Sequence, residues 1–426
     1  MKISPSFDIA IVGGGMVGAS LAALMSAMRP DWQIALIEAH PMPVAESSAT
    51  LYQPSFDARS TAIASGSVDL LAASGLWDSL KQHACPIEQV HVSDRGHFGG
   101  AVIDSRAHDL EAVGYVLENA WMGKVLLGHL HKLSNVSFLA PAKVDRITPL
   151  QNGVELSVIE GLGENTSAVK LTVSLAVIAD GAHSPLRKQL GIDTQVENYH
   201  QHAIISNVSF DRAHDHKAYE RFTDEGPLAL LPLLDFEGAH RSALVWTVPS
   251  SDSESLMALS DEAFAKQLQQ RFGFRLGMIS RVGERSAYPL QLTSACEQVR
   301  SNVVLMGNAA HFLHPVAGQG FNLALRDCAS LCASLAEDAH LPLGKLTTLL
   351  KYVQAQKLDQ QATVGFSDSV TKLFSRSDLP SAVLRQLGFL GLELVPQAGA
   401  LFSQQAMGRA ATQAYANGFA HKGEVG

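Results

Sequence analysis

Gly13, Gly15 and Gly18 form a complete G-x-G-x-x-G, and Glu38 follows the last of them by twenty positions. The three glycines permit a tight turn, close approach of the backbone to a diphosphate, and packing of a helix on a strand. A carboxylate at this spacing can bind ribose hydroxyls and disfavours a 2′-phosphate. The motif therefore predicts a dinucleotide site for FAD or NAD rather than NADP.

A second candidate segment is Asp180-Gly181, which follows an apolar run at residues 175–179. Taken alone, an Asp-Gly pair after a strand is more simply an ordinary turn. Its position between the first segment and a third one favours a second contact with the nucleotide.

The third segment spans residues 305–327, where an apolar strand at 302–306 runs into a glycine-rich loop and then a helix. Its candidate binding residues are Gly307, Asn308, Pro315, Gly318, Gly320 and Asn322. Glycines let backbone amides approach a planar ligand, and a helix that begins at Asn322, with that residue as its cap, would offer unpaired N–H groups. Such a helix start suits an anion, for example a reduced flavin. A plain strand–loop–helix connection is the alternative.

Apolar patterns place these residues on regular elements. Residues 7–12 and 32–37 are predicted strands on either side of a helix at 19–28, and 120–133 is a further helix. Residues 136–150, 154–158 and 168–175 are predicted strands of a meander over this nucleotide-binding region.

A second region alternates in the manner of an antiparallel sheet. Its predicted strands are 88–95, 203–210, 217–222, 227–231 and 242–248, with a helix at 261–272. Residues 228–231 are either the dry wall of a pocket or sheet core. Residues 342–411 are predicted to be helical, and 379–395 carry a helical apolar spacing.

Composition narrows the function. The 426 residues include 46% hydrophobic and 17% charged residues, as in a folded protein, and the net charge of −9 argues against nucleic acid as a partner. The first strand starts too early for a signal peptide of the usual form, so the cytoplasm is the expected location.

Cys328 and Cys332 are predicted to be buried free thiols. Paired histidines such as His311 and His314 lack further ligands nearby, so no metal is expected.

With these three segments, the chain resembles the single-component flavin aromatic hydroxylases, the fold group of para-hydroxybenzoate hydroxylase. Within that group it is similar to the ubiquinone-biosynthesis hydroxylases, whose flavin loop ends H-P-x-A-G-Q-G-x-N-L, here His314 to Leu323. Further stretches resemble the 2-octaprenyl-6-methoxyphenol hydroxylases: residues 90–97, 220–223, 226–229 and 285–290.

The resemblance implies an α/β fold, in which a Rossmann-like FAD-binding domain of the para-hydroxybenzoate hydroxylase type is interleaved with an antiparallel-sheet substrate domain and followed by C-terminal helices. We predict the FAD-binding domain at residues 1–86, 105–191 and 286–341, the substrate domain at 87–104 and 192–285, and the helical region at 342–426.

The implied activity is hydroxylation of a polyprenylated phenol in ubiquinone biosynthesis. In this family NAD(P)H reduces FAD, O₂ forms a flavin C4a-hydroperoxide, and its distal oxygen passes to the ring. Another FAD-dependent NAD(P)H oxidoreductase on the same scaffold, or a flavin-bearing scaffold subunit of a biosynthetic complex, stays open. A prenylated substrate also implies either peripheral contact with the inner membrane, for which residues 379–395 offer an apolar face, or a partner that presents the substrate.

Residue roles follow from the resemblance by position. Gly13, Gly15 and Gly18 would hold the FAD diphosphate, and Glu38 the adenosine ribose. The remaining assignments are Arg59 near the cofactor, Asp180 and Gly181 along the diphosphate and the path of NAD(P)H, Asn308 at a ribityl hydroxyl, and Pro315, Gly318, Gly320 and Asn322 along the isoalloxazine. Gly307 would be a further cofactor-binding residue of the third segment. Most of the wider group has Asp where Asn308 stands, which removes one negative charge here. From the residues alone, Arg59 is more simply a partner of Asp57.

Overall fold

The computed structural model of the chain describes residues 6–41, 59–96, 100–162, 165–313 and 318–374. The strands are β1 (Ile9–Val12), β2 (Ile34–Ile37), β3 (Ser60–Ala64), β4 (Cys85–Ile87), β5 (Gln89–Asp94), β6 (Gly100–Asp104), β7 (Gly114–Glu118), β8 (Val136–Leu139), β9 (Ala142–Leu150), β10 (Gly153–Leu162), β11 (Asn165–Val173), β12 (Leu175–Ile178), β13 (Thr194–Phe210), β14 (Lys217–Thr223), β15 (Gly226–Phe236), β16 (Ala239–Pro249), β17 (Ile279–Val282), β18 (Ser286–Ala295), β19 (Val299–Arg300), β20 (Val303–Leu305) and β21 (His311–Phe312). The α-helices are α1 (Met16–Met28), α2 (Ser65–Ala73), α3 (Trp77–Lys81), α4 (Asn119–Leu130), α5 (Pro185–Gln189), α6 (Ser250–Met257), α7 (Asp261–Phe272), α8 (Gln319–Glu337) and α9 (Leu346–Phe374).

A six-stranded sheet of order β19-β20-β12-β1-β2-β8 forms the nucleotide-binding part, and it is parallel except for β19. Its inner strands are short apolar runs, because both faces are covered. Helices α1, α4 and α8 pack on one face. The strand order reverses between β1 and β12, which is where ligands bind in open sheets of this kind.

The antiparallel meander β9-β10-β11 covers the other face of this sheet. The prediction of one strand over residues 136–150 is wrong. Residues Val136–Leu139 pair with β2 inside the parallel sheet, whereas Ala142–Leu150 pair with β10 in the meander. Pro141 between the two segments has no N–H to donate to a ladder, which favours the interruption there.

The third layer is a nine-stranded sheet that runs β21-β18-β13-β16-β15-β14-β5-β6, with β17 also paired to β13. All its pairs are antiparallel except β14 with β5. Helices α6 and α7 cover one face, and α7 spans the predicted residues 261–272. The opposite face packs on the small sheet β3-β7-β4. Because β18 and β21 belong to this sheet, it continues past residue 285; the domain boundaries stay a prediction.

Helices α8 and α9 pack against each other through buried polar contacts. The Arg326 guanidinium donates to the Asp359 carboxylate at 2.6 Å, and Gln360 donates to Asp327 at 2.8 Å. Cys328 and Cys332 are buried and unbonded, as predicted. The apolar stretch at residues 379–395 lies outside the described residues. Within the described ranges, no helix is long and apolar enough to cross a membrane.

Candidate functional site

Four strand ends bring the three predicted segments to one edge of the parallel sheet. Gly13 follows β1, Glu38 follows β2, Asp180 lies two residues beyond β12, and Gly307 lies two residues beyond β20. These strands are hydrogen-bonded neighbours in register, so their carboxyl ends meet. A β-carbon on Gly307 would lie 3.0 Å from the Val17 side chain, which shows that the third segment touches the first helix.

The three glycines of the first motif do different work. Gly13 has a φ of 109°, and a β-carbon there would lie 2.3 Å from the Ala179 carbonyl oxygen. A β-carbon on Gly18 would lie 1.9 Å from the Gly13 carbonyl oxygen. Gly15, by contrast, has no protein atom within 4 Å of its β-carbon position, and α1 begins at the next residue without a side-chain cap. The open space beside unpaired helix N–H groups fits a diphosphate.

Glu38 is held at the end of β2 by two backbone donors. One carboxylate oxygen accepts from Gly14 N–H at 2.8 Å, and the other accepts from His40 N–H at 2.9 Å. The carboxylate is therefore fixed directly against the glycine loop, while its side chain stays partly exposed. This geometry suits the predicted role of accepting hydrogen bonds from a ribose.

Glu38→Ala should weaken FAD retention without abolishing it. The change removes hydrogen bonds to a charged acceptor, worth roughly 1.5–3 kcal/mol, but leaves the space beside Gly15 untouched. The dissociation constant of FAD, measured by fluorescence titration of the flavin-free protein, should rise by one to two orders of magnitude. Glu155→Gln, in the meander, is the control. An unchanged dissociation constant for Glu38→Ala would show that the ribose lies elsewhere.

Asp180 presents a carboxylate that the described residues leave unpaired. Both oxygens are buried, and neither meets a donor in hydrogen-bonding geometry in the part of the chain that the structure describes. Burial raises the pKa of Asp180 above its ordinary range, although the nearby Ser184 hydroxyl, the backbone N–H groups of Asp180 and Leu186, and the Arg187 guanidinium oppose this. Beside it, Gly181 has a φ of 95° and open space at its β-carbon position. An unpaired acceptor at the sheet edge fits a hydroxyl-bearing ligand.

Arg187 joins the second segment to the third. Its guanidinium donates to the Ala309 carbonyl at 2.8 Å and to the Ala182 carbonyl at 3.0 Å, and the side chain is buried. Ser184 caps α5 by accepting from Arg187 N–H at 3.0 Å. The sequence motif contained Arg187 but did not indicate that this side chain connects the two segments. The groups that accept hydrogen bonds from Arg187 are backbone carbonyls, and no pattern of side chains reveals them.

The predicted cap of the third segment is wrong. Helix α8 begins at Gln319, after Gly318 in the left-handed region with a φ of 62°. Asn322 lies inside the first turn and connects Gly318 to β3. Its Nδ2 donates to the carbonyls of Gly318 and Ala62, and its Oδ1 accepts from Ala64 N–H, all at 2.8 Å. The physical reason is that β3 lies beside α8 and supplies backbone partners that are distant in sequence.

The other residues predicted around the flavin are placed as follows. Gly320, in the first turn of α8, has open space at its β-carbon position. Asn308 is exposed in a 3₁₀ turn, Gly307–Ala309. Arg59 is exposed and immediately precedes β3. Pro315 lies outside the described residues. Which of them contact a cofactor stays a prediction.

Side chains of the segment 228–231 alternate between the two faces of the sheet, because successive side chains of a strand point to opposite faces, and its role as a pocket wall stays a prediction. Leu228 and Leu230 lie in the core beneath α6 and α7. Leu231 packs on the opposite face, toward β3-β7-β4, and Ala229 alternates onto that face. Half of the segment is sheet core, and the other half faces the nucleotide-binding part.

The paired histidines make local hydrogen bonds. His214 pairs through Nε2 with the Leu233 carbonyl, and His216 pairs through Nδ1 with the Glu88 carboxylate. The described ranges contain no group of three or more His, Cys, Asp or Glu side chains that could hold a metal ion.

Comparison with known proteins identifies the family. Residues 6–365 match the FAD binding domain family. The chain belongs to this family. Ubiquinone hydroxylase UbiL of Rhodospirillum rubrum is 34% identical over 406 residues, which cover 94% of this chain and 89% of the relative. The 3-demethoxyubiquinol 3-hydroxylase of Escherichia coli is 29% identical over 390 residues, covering 91% and 94% of the two chains.

A solved structure shares the fold. OxyS anhydrotetracycline hydroxylase from Streptomyces rimosus superposes with a TM-score of 0.69 at 21% identity, covering 95% of this chain and 76% of that chain. The predicted α/β fold, the family resemblance and FAD as cofactor are thereby confirmed. The gap at Gly15 and the unpaired Asp180 carboxylate are the features of this chain that fit that cofactor.

Proposed function

We propose that this protein is a flavin-dependent monooxygenase that hydroxylates the aromatic ring of a polyprenylated phenol in ubiquinone biosynthesis, with NAD(P)H and O₂ as co-substrates. The observation that carries the proposal is the position of Gly318, which directly precedes α8. A β-carbon on Gly318 would lie 3.1 Å from Ala62, whose strand packs under the apolar face of the nine-stranded sheet. The names of the two relatives support the substrate class.

FAD, when bound, takes electrons from NAD(P)H and activates O₂ for transfer to the ring. The protein's own part is to hold the cofactor, orient the phenol and exclude water. Gly15 provides space and Glu38 provides acceptors for the dinucleotide part of FAD, and Asn322 fixes Gly318, which directly precedes α8. Apolar side chains such as Leu231 and Leu233 line the facing sheet, and a dry wall there limits loss of the activated oxygen to water.

The test is to load the purified protein with FAD and to follow oxidation of NADH and of NADPH, with and without short-chain prenylated phenols. We expect the phenol to stimulate oxidation and a product that has gained one oxygen atom from isotopically labelled O₂. If the rate of NADH or NADPH oxidation does not change with the phenol and no hydroxylated product forms, the protein is a different oxidoreductase. No reductant consumption at all would indicate a scaffold subunit. Either result overturns the proposal.

We also propose that the enzyme works in the cytoplasm and reaches its lipid-borne substrate by weak peripheral contact with the membrane or through a protein partner. A polyprenyl tail partitions into lipid, whereas the net charge of −9 disfavours attraction to anionic lipid. Sedimentation with anionic liposomes should therefore be weak and insensitive to salt. Strong binding that high salt releases would contradict this.

A further inference from the structure

Glu220 is a carboxylate on the sheet face that packs on the small sheet β3-β7-β4. It lies in β14 between Ala218 and Phe222, which are both buried and point to the same face by alternation. The neighbour on the other face is Tyr219, whose ring lies 5.5 Å from that of Phe272 in α7. Glu220 therefore faces away from α7, toward the side that packs on β3-β7-β4.

The strands on either side offer Glu220 no polar partner. Ala229 lies opposite it on β15, and Val92 lies opposite it on β5. Among the described residues, no hydrogen bond or ion pair involves the carboxylate, although its side chain stays partly accessible to solvent. Burial alone raises the pKa of Glu220 to about 7. A carboxylate that lies between apolar side chains and has no donor among the described residues favours a ligand that supplies one.

The charged groups on this face, or on the elements packed against it, include Asp94 on β5, Arg241 on β16, Glu118 on β7, Arg59 before β3 and Asp368 in α9, and β4 adds the Cys85 thiol. The Arg241 guanidinium is committed to Glu118 at 2.9 Å, and Asp368 accepts from the Tyr199 hydroxyl at 3.0 Å. Asp94 lies on β5 opposite Phe222, and Phe222 is two residues after Glu220 on β14. None of these contacts neutralises Glu220.

We propose that Glu220 accepts the proton of the substrate's phenol hydroxyl, an inference that rests on the proposed function. The O–H bond of the phenol breaks, its electron pair stays on the phenol oxygen, and the proton forms a new O–H bond with the carboxylate. The products of this step are a phenolate and a neutral glutamic acid. The phenolate ring is richer in electrons and therefore reacts better with an electrophilic oxygen atom.

The raised pKa suits this role. A phenol has a pKa of about 10, so a glutamate with an ordinary pKa near 4.5 is a poor acceptor. Raising the pKa of Glu220 to about 7 narrows that gap and favours proton transfer on the order of 300-fold, while the carboxylate is still largely ionised just above neutral pH. Glu220 was part of a family motif in the sequence. The signal for its role is a charged residue on the apolar register of a strand.

The test compares Glu220→Gln with the wild type, both loaded with FAD, on 2-methoxyphenol and on fluorinated phenols of lower pKa. At pH 7 the variant should retain FAD but form at least about 100-fold less hydroxylated product. Product formation by the wild type should rise through an apparent pKa near 7. The pH profile of the variant should lack that inflection. Product formation by the variant should recover only when the phenol ionises without a base, which happens at higher pH or with the fluorinated phenols of lower pKa. Glu254→Gln, exposed in α6 beyond the other face, is the matched control.

A second measurement does not depend on turnover. Infrared spectra of the oxidised holoenzyme, recorded as wild type minus Glu220→Gln, should show a carboxylic acid band that titrates near pH 7. Asp327, whose pKa burial also raises to about 7, is common to both proteins and cancels.

The outcomes separate the two claims. If the wild type hydroxylates phenols and Glu220→Gln does so with the same yield and pH profile, the inference is wrong and the proposed function stands. If the wild type hydroxylates no phenol, the proposed function fails first. Should Glu220→Gln fail to fold, Glu220→Leu, which also lacks a carboxylate, replaces it in both measurements. A difference spectrum without the titrating band overturns the inference.

Discussion

Replacement of Gly15 by valine should remove FAD from the protein and leave its fold intact. The backbone at Gly15 has a φ of −66° and a ψ of −177°, which valine adopts without strain, and no protein atom lies within 4 Å of its β-carbon position. The added side chain would instead occupy the space that the diphosphate needs. We expect the FAD content after purification to fall below about one-tenth of the wild-type value, because a steric overlap costs more than ~1.4 kcal/mol of binding.

Two further variants make this result specific. Gly128→Val in α4 also enters open space, so it controls for the general effect of a branched side chain and should keep its FAD. Gly18→Val should fail to fold, because its β-carbon would lie 1.9 Å from a backbone oxygen. Circular dichroism and the flavin absorption of the purified proteins distinguish these cases. A Gly15→Val protein that retains FAD would mean that the diphosphate does not lie over this glycine.

Asn322→Asp should cause the largest loss of stability among single-atom changes at the site. The amide nitrogen of Asn322 donates to two carbonyl oxygens, of Ala62 and Gly318, in a buried position. A carboxylate oxygen in its place replaces two attractive contacts with two repulsive ones. The free energy of unfolding should fall by about 3 kcal/mol or more at pH 7. Asn322→Ala, which only removes the bonds, should cost somewhat less.

The pH dependence gives this prediction a distinctive sign. The repulsion favours the protonated carboxyl in the folded protein, so the pKa of the new Asp is raised above its unfolded value. The penalty is therefore full above the folded pKa and shrinks as the pH falls through it, when the acid can donate one bond. Urea unfolding of Asn322→Asp and of the wild type at several pH values measures this loss of stability.

The matched control is Asn198→Asp. Asn198 is exposed, and its side chain acts only as an acceptor, from His200 N–H at 2.8 Å. A carboxylate preserves that bond, so stability should change little. If Asn322→Asp is as stable as Asn198→Asp, the clamp between α8 and β3 does not contribute to the fold.

The sequence by itself determined the elements whose signals are local. The glycine motif followed by Glu38 predicted the turn after β1 and the acid after β2, because the tight turn and the strand length fix that spacing. Helix α7 was predicted with its observed bounds, since Ser260 caps it and its apolar residues recur at helical spacing. The family motifs added the cofactor, which the match to the FAD binding domain family confirms.

Only the tertiary structure decided which partners the polar side chains find. Asn322 caps no helix, because β3 offers it backbone groups some 260 residues away in sequence. Arg187 braces two loops through carbonyls, which every residue carries and no sequence pattern marks. In the sequence, Glu220 is one charged residue in a predicted strand. Its proposed role as a proton acceptor depends on the apolar side chains of β5 and β15 that lie opposite it. Local preferences fix turns and periodicity, whereas desolvation and hydrogen-bond pairing depend on groups that meet only after the chain has folded.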